Sequence, residues 1–517
     1  MIERTTTRPR LSDLIGELER EASDWTAVES FSSWHQDTHA LAGRYEGLVP
    51  LSAPKEGERY AFEVDLDKCS ACKACVAACH SLNGLDEGES WRAVGALLEP
   101  ESGRKLVVTS SCHHCDEPGC SDGCPTLAYE KRPDGIVRHL DDQCMGCRYC
   151  EWTCPYGAPK WSEARGIVRK CDLCHQRLAV GEAPACVQGC PNGAIAVRIL
   201  PRGTEPSLRL GGAVEPERTR PASVYRSSRG ELSGMVPGHE GAEHPEESHA
   251  PLAFLLVATQ WAVGAAVLLA LRSAAGCAPV AAAPLTAFLL VAAGLGVGTL
   301  HLGRPDRAWR AALGWRKSWF SREVIAFGAA AGAFSAWAAR PFLPSLPVPI
   351  PTDSVLSAAA ALLGMVGVYC SARIYLATPR PFWNRSATAW RFALCALGGG
   401  AVLAGSFGGE WIRMFGILSI ATGIAKALLV RRDARLPKSG HVLSGSARLL
   451  AGPLAGPVRL QALLFAAAVL AALAGTVVAH PAPFVLAALL RFGSDLVERL
   501  LFFRAALPAR MPGDVLA

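Results

Sequence analysis

An α+β domain organised by clustered cysteines, followed by an all-α polytopic membrane domain of about eight transmembrane helices, is the fold class that three observations predict. Sixteen of the 19 cysteines fall between Cys69 and Cys190, in four groups of four. Short strand-forming stretches lead into each group. From residue 251 onward the polar, charged composition of the first half gives way to long uncharged runs of Ala, Leu, Val and Gly. At 517 residues the chain has room for two or three domains. The expected boundaries are 1–60, an N-terminal extension; 61–200, the cysteine domain; 201–250, a linker; and 251–507, the membrane domain.

The four groups are Cys69, Cys72, Cys75 and Cys79; Cys112, Cys115, Cys120 and Cys124; Cys144, Cys147, Cys150 and Cys154; and Cys171, Cys174, Cys186 and Cys190. The spacing C-x2-C-x2-C-x3-C occurs in the first and third, and the others lengthen one gap. Thiolates clustered on short loops are the soft ligand sets of iron–sulfur centres. A disulfide scaffold is the competing reading of so many cysteines, but tight C-x-x-C spacing repeated four times speaks against it. Zinc would use each group as an independent site. Here the fourth cysteine is followed by Pro125, Pro155, Pro191 or His80, as in two-cluster ferredoxins. Three cysteines two residues apart can wrap three corners of a cubane, and a helix just downstream carries the fourth toward a neighbouring cluster. The prolines remove the amide beside that fourth sulfur and help set the turn. Pairing first with fourth and second with third is natural, since each regularly spaced group needs a partner.

In chain order, residues 1–60 carry apolar positions at helical spacing (Leu11, Leu14, Ile15, Leu18) and read as a covering arm. His35 and His39 read as surface residues. Strands are expected at 61–68, 135–142, 166–170 and 194–199, with a strand pair over 91–110. This rhythm of strand, cysteine loop and helix suits a double ferredoxin-like domain whose clusters replace part of the core, so folding should depend on them. The Pro-, Gly-, Glu- and Arg-rich stretch 201–250 cannot make a core of its own. Its His239, His244 and His249 are too loosely spaced to argue for a metal site.

Spans are expected near 251–271, 280–301, 323–340, 354–374, 391–409, 411–430, 459–479 and 481–503. In the sixth, Arg413 and Lys426 would snorkel from its ends. The last is interrupted by Arg491, Asp495, Glu498 and Arg499, which leaves seven spans open. Residues 304–322 hold six basic residues and one acid, 431–459 six and one, and 373–391 four basic residues, whereas the alternate loops have almost none. The positive-inside rule then puts the charged loops, both termini and the iron–sulfur domain on the cytoplasmic face of the inner membrane. Neither a secretory signal nor an Arg-Arg pair opens the sequence. The arginines cluster between apolar runs, with no stripe beside aromatics, so no nucleic-acid partner is expected.

Within the spans, an ionisable residue is a site candidate. His301 ends the second span on the side of the iron–sulfur domain, where its usual pKa range suits taking a proton from a quinol. A helix-end histidine wetted by headgroups is the alternative. Glu323, across the same loop, could receive that proton or neutralise Arg304; Arg304 and Arg307 read equally as charge anchors. Tyr369 and Tyr375 could line a quinone pocket or lie at the interface. No haem is expected, because His301 and His480 would sit at opposite faces. Cys277, Cys370 and Cys395 read as apolar fillers.

These residues carry a resemblance. The cysteine block resembles the four-cluster electron-transfer subunit of the dimethyl sulfoxide reductase family, and TRPASVY (219–225) resembles the tail that follows it. HLGRPDRAW, SREVIAFG, GVYCSARIYLATPRPFWN and ERLLFF resemble that family's quinol-oxidising anchor, here in the same chain. The resemblance supports one cluster on Cys69, Cys72, Cys75 and Cys190, a second on Cys171, Cys174, Cys186 and Cys79, a third on Cys112, Cys115, Cys120 and Cys154, and a fourth on Cys144, Cys147, Cys150 and Cys124. It implies four [4Fe–4S] clusters, since no third-group cysteine is replaced by the tryptophan of the nitrate reductase relatives. It further implies menaquinol as the membrane substrate, a histidine and a glutamate matching His301 and Glu323 near its site, and a separate molybdenum bis-pterin catalytic subunit. The family's best-known members hold the catalytic domain outside the membrane, whereas the charges here place it inside. The expected function is passage of electrons from the quinone pool through the clusters to that partner. Reversed flow toward quinone, and an assembly anchor without turnover, are the alternatives.

Overall fold

The computed structural model describes residues 29–30, 32–34, 46–99, 101–204, 210, 216–229, 232, 234–238, 243–342, 352–435 and 443–508. The helix expected at Leu11–Leu18, and His35, His39 and His239, lie outside the described residues.

The cysteine half runs β1 (Glu58–Asp65), α1 (Ala74–Asn83), β2 (Arg92–Leu98), β3 (Lys105–Ser111), α2 (Gly119–Gly123), β4 (Tyr129–Lys131), β5 (Val137–His139), α3 (Tyr149–Thr153), β6 (Lys160–Ser162), β7 (Ile167–Arg169), α4 (His175–Ala179), α5 (Ala185–Gln188), β8 (Ile195–Pro201), β9 (Val224–Arg226) and β10 (Val236–Pro237). Every cysteine loop is entered from a strand and left by a short helix, as the sequence suggests. β1 is central to one sheet, antiparallel to β8 and parallel to β9. Its six inner residues are buried on both faces, which accounts for a run of mixed polar and apolar residues that lacks simple alternation. β2 and β3 form the expected hairpin, extended by β10. β4–β5 and β6–β7 are two further hairpins.

The stretch expected as a linker is no free tether. β9 joins the first sheet, Tyr225, Leu232 and Met235 are buried, and Arg59 donates to the carbonyls of Arg220 and Pro221. Scattered apolar residues suffice here because the cysteine domain supplies the rest of the core. Its low hydrophobic content hid this.

The second half contains α6 (Ala250–Ala274), α7 (Ala283–Gly298), α8 (Trp319–Ala339), α9 (Asp353–Leu376), α10 (Ser386–Gly405), α11 (Ile412–Ala434), the short α12 (Ser444–Ala451), α13 (Ala455–Val478) and α14 (Ala482–Arg504). Six of them, α6, α7 with its 3₁₀ extension to His301, α9, α10, α11 and α13, are long and apolar enough to cross a membrane, so the protein is a multi-pass membrane protein. α8 and α14 have the length but more polar sequences. α6 is the most enclosed, packed against α7, α9, α10 and α14. Small residues permit this: a Cβ on Gly264 would run into the carbonyl of Ala396, and one on Gly399 into the Trp261 ring.

The charges of α14 face inward, and this explains how so polar a helix fits the bundle. Lys426 does not snorkel: it is 1% exposed, with Nζ 2.6 Å from Asp495 Oδ1 and 3.3 Å from Glu498 Oε2. Arg391 bridges Glu498 and Asp433, and Arg385 lies 2.7 Å from Asp433. Trp261 Nε1 donates to Asp495 (3.0 Å), and Arg499 donates to Gln260 (3.1 Å). Cys395 joins this network through Asp495 (3.5 Å) and is no mere filler. Hydropathy along one helix cannot show that two neighbours supply its counter-charges and a third its hydrogen bonds.

Candidate functional site

The cysteine loops repeat one backbone device. The residue before the second cysteine of each group has a left-handed φ: Ala71 62°, His114 43°, Gly146 73° and Leu173 61°. In the two regular groups the residue after it, Lys73 or Arg148, does likewise. Non-glycine residues adopt this region at a cost, and here it curls the chain so that successive thiols converge.

The fourth cysteines are exchanged between groups. α1 packs on α5, and α2 on α3, with small residues preceding the fourth cysteine at both contacts. A Cβ added at Gly189 would stand 2.7 Å from that of Ala78, and one at Gly123 would stand 2.8 Å from Thr153 Cγ2. Cys79 is thereby carried to Cys174 and Cys186, and Cys190 to Cys69 and Cys75. Cys154 reaches Cys112, Cys115 and Cys120, and Cys124 reaches Cys144 and Cys147. One small cavity is lined by Cys112, Cys115, Cys120 and Cys154. Another is lined by Cys79, Cys171, Cys174 and Cys186.

These surroundings fit iron–sulfur clusters. Backbone amides of Ala128, Gly146, Leu173 and Ala194 donate to the sulfurs of Cys124, Cys144, Cys171 and Cys190 at 3.2–3.4 Å, contacts that tune cluster potentials. Burial pushes the Cys154 thiol up to about 11 and that of Cys174 to about 12. Bonding to a metal, as in an iron–sulfur cluster, would hold such sulfurs as thiolates at neutral pH. Cys72 is the exposed thiol of the sixteen, with Cys69 beside it half-buried.

At the opposite end, the third loop rests on the helical bundle. The amides of Gly303 and Arg304 donate to the carbonyls of Gly146 (3.3 Å) and Met145 (3.0 Å), and the amide of Gly314 to that of Pro125 (2.8 Å). A Cβ at Gly146, Gly166 or Gly303 would collide with backbone across this seam. Tyr149, between two cysteines, donates to the carbonyl of Ile374 at 3.1 Å. Trp152 enters a cluster of rings with His249, Tyr375, Trp383 and Phe503.

His301 stands two residues before Gly303. Its Nδ1 bonds the carbonyl of Gly298, so Nδ1 carries the hydrogen, and the buried Nε2, without a hydrogen-bond partner among the described residues, presents a lone pair. Glu323 is buried on α8 and accepts from the Ser371 hydroxyl of α9. The structure does not bring Arg304 to Glu323. Arg304 donates to the carbonyls of Asp141 (3.1 Å) and Arg165 (3.3 Å), and Arg307 to that of Asp142, so both grip the cysteine domain. Tyr375 lies in the aromatic cluster, whereas Tyr369 is 55% exposed, against Trp319. Ser371, Tyr149 and Trp152 were not singled out from sequence. The i, i+4 separation of Ser371 and Tyr375 on one helix was the available signal.

Comparison with known proteins agrees with this division. Residues 104–199 match a 4Fe-4S dicluster domain, and residues 246–504 match the DMSO reductase anchor subunit (DmsC). The chain is 38% identical over 147 residues to the B component of the anaerobic dimethyl sulfoxide reductase of Escherichia coli (strain K12), covering 26% of this chain and 72% of that one. It is 33% identical over 237 residues to the B component of the tetrathionate reductase of Salmonella typhimurium, covering 43% and 89%. To the iron–sulfur subunit of the nitrate-inducible formate dehydrogenase of Escherichia coli (strain K12) it is 33% identical over 168 residues, covering 28% and 57%.

Proposed function

This polypeptide belongs to the dimethyl sulfoxide reductase family and unites that family's iron–sulfur electron-transfer portion and its membrane anchor in one chain; from this we propose that it oxidises menaquinol and delivers the electrons to a separate molybdenum bis-pterin subunit. The observation that carries the reading is the placement of the two ends of the cysteine array. The third group abuts the bundle beside His301, and the exposed Cys72 of the first group faces outward. Four [4Fe–4S] clusters would be held by the exchanged sets described above. When bound, each supplies storage for one electron at a time, which suits a two-electron donor.

The chain's own residues manage the protons. With Nδ1–H committed to Gly298, Nε2 of His301 can accept a quinol hydroxyl proton. Glu323, oriented by Ser371, offers a second acceptor on the neighbouring helix. Arg304 and Arg307 fix the loop that carries His301 against the third cysteine loop. The basic loops lie at the cysteine-domain end of the bundle, which supports a cytoplasmic, inner-membrane placement of that domain.

The test is His301→Ala. Quinol-driven reduction of the clusters should vanish while iron content and dithionite-reduced spectra stay those of the parent protein. Quinol oxidation at the parent rate would overturn the site. Faster reduction of quinone by a reduced partner than oxidation of quinol would instead favour the reverse direction.

A further inference from the structure

Among the described residues, two buried cations in the cysteine half have no carboxylate partner. Arg92 is 2% exposed and Lys170 3%. The other two buried cations there are paired conventionally, Arg59 with Asp116 at 2.8 Å and Arg169 with Glu89 at 3.1 Å. Among the described residues, no ion pair joins Arg92 or Lys170 to Asp or Glu. Arg92 Nη1 donates to Thr109 Oγ1 (3.2 Å) and Nη2 to Ser111 Oγ (3.0 Å), with its guanidinium carbon 4.7 Å from the centre of the Phe62 ring. Lys170 Nζ donates to the carbonyls of Val137 and Cys171, the latter at 3.0 Å. Neutral oxygens do not offset the cost of burying a charge.

The missing counter-charge is found in the thiol positions. Arg92 lines the cavity formed by Cys79, Cys171, Cys174 and Cys186, and Thr109, to which it donates, also contacts Cys75 Sγ at 3.7 Å. It therefore stands between the first and second ligand sets. Lys170 lines the cavity of Cys112, Cys115, Cys120 and Cys154 and precedes Cys171 in the chain, so it stands between the second and third sets. The gap between the third and fourth sets is filled differently, by the uncharged phenol of Tyr129 near Cys120, Cys124 and Cys150.

We propose that Arg92 and Lys170 are the resident counter-ions of the clusters and set their reduction potentials, raising that of the second cluster most because both cations adjoin it. This rests on the four-cluster reading and the exchanged ligand sets above. Reduction adds one electron, and hence one negative charge, to a cluster. A fixed cation in a low-dielectric gap stabilises the reduced form. Both residues are positioning residues, since neither supplies a ligand atom.

Potentiometric EPR of the full-length protein in membranes tests this, with iron and sulfide assayed on the same samples. Arg92→Gln should lower the potentials of clusters one and two, and Lys170→Gln those of two and three. Each shift should reach a roughly tenfold loss in the reduction equilibrium, about 59 mV for a one-electron couple. The double variant should move cluster two furthest, and cluster four should stay fixed. Unmoved potentials in fully loaded variants, or an equal shift in cluster four, would overturn the assignment. Loss of iron from both glutamine variants but not from Arg92→Lys and Lys170→Arg would support it, since charge rather than shape would then be what loading needs. Iron loss from all four variants would overturn it. Parent protein holding less iron than four clusters need would defeat only the reading on which this rests.

Discussion

Cys154 follows Cys150 by four residues yet faces Cys112, Cys115 and Cys120, and that displacement makes individual sulfurs distinguishable. Cys154→Ser should perturb the cluster of the second group and Cys150→Ser that of the third. Identical EPR changes from the two variants would place both sulfurs on one cluster and end the exchange. The same reasoning applies to protons at Glu323. Glu323→Gln keeps the size and an acceptor for Ser371 but removes the carboxylate that could take a proton. Quinol-driven reduction should slow by roughly a hundredfold or more, with helix content unchanged. A parent-like rate would leave Glu323 as a packing residue. At this scale the sixteen thiols were legible from sequence because ligand spacing is local. Arg92 and Lys170 were not, since what singles them out is the lack of a carboxylate among neighbours distant in sequence.

The helices α10, α11 and α14 are held by charge where most of the bundle is held by small-residue packing. Removing one partner of a buried pair strands the other. Lys426→Met should therefore cost about 3–5 kcal/mol, read as a lower unfolding midpoint in detergent. Lys426→Met combined with Asp495→Leu should do no better, because Arg491 and Trp261 also rely on Asp495. A parent-like midpoint for Lys426→Met would remove the network from the forces that fix these helices. The element boundaries followed from apolar runs, and all eight long helices lie where those runs do. The inward face of α14 stayed hidden, because its charges, read along the chain, looked like an interruption.

On the scale of the whole molecule, the two halves depend on different forces. Neutral thiols cannot replace the clusters as core, so chelation of iron should unfold residues 58–201 while the helical bundle keeps its own transition. One shared transition would mean that the seam couples them. The orientation is checked by a reporter fused after Ala517, expected on the cytoplasmic side; an exported reporter would reverse it. That the halves meet through the third cysteine loop was not legible, since its contacts, such as Gly146 with Gly303, join residues far apart in the chain. The seam itself is made by Gly146, Gly166 and Gly303, where backbone meets backbone with no side chain between. Electron tunnelling weakens exponentially with each added ångström, so the absence of three methyl groups acts as a spacer of zero thickness. Gly303→Val, whose side chain would collide with Gly166 and Trp161, should push the seam apart and slow quinol-driven cluster reduction while dithionite-reduced spectra stay those of the parent protein; a parent-like rate would show that this contact does not set the transfer distance.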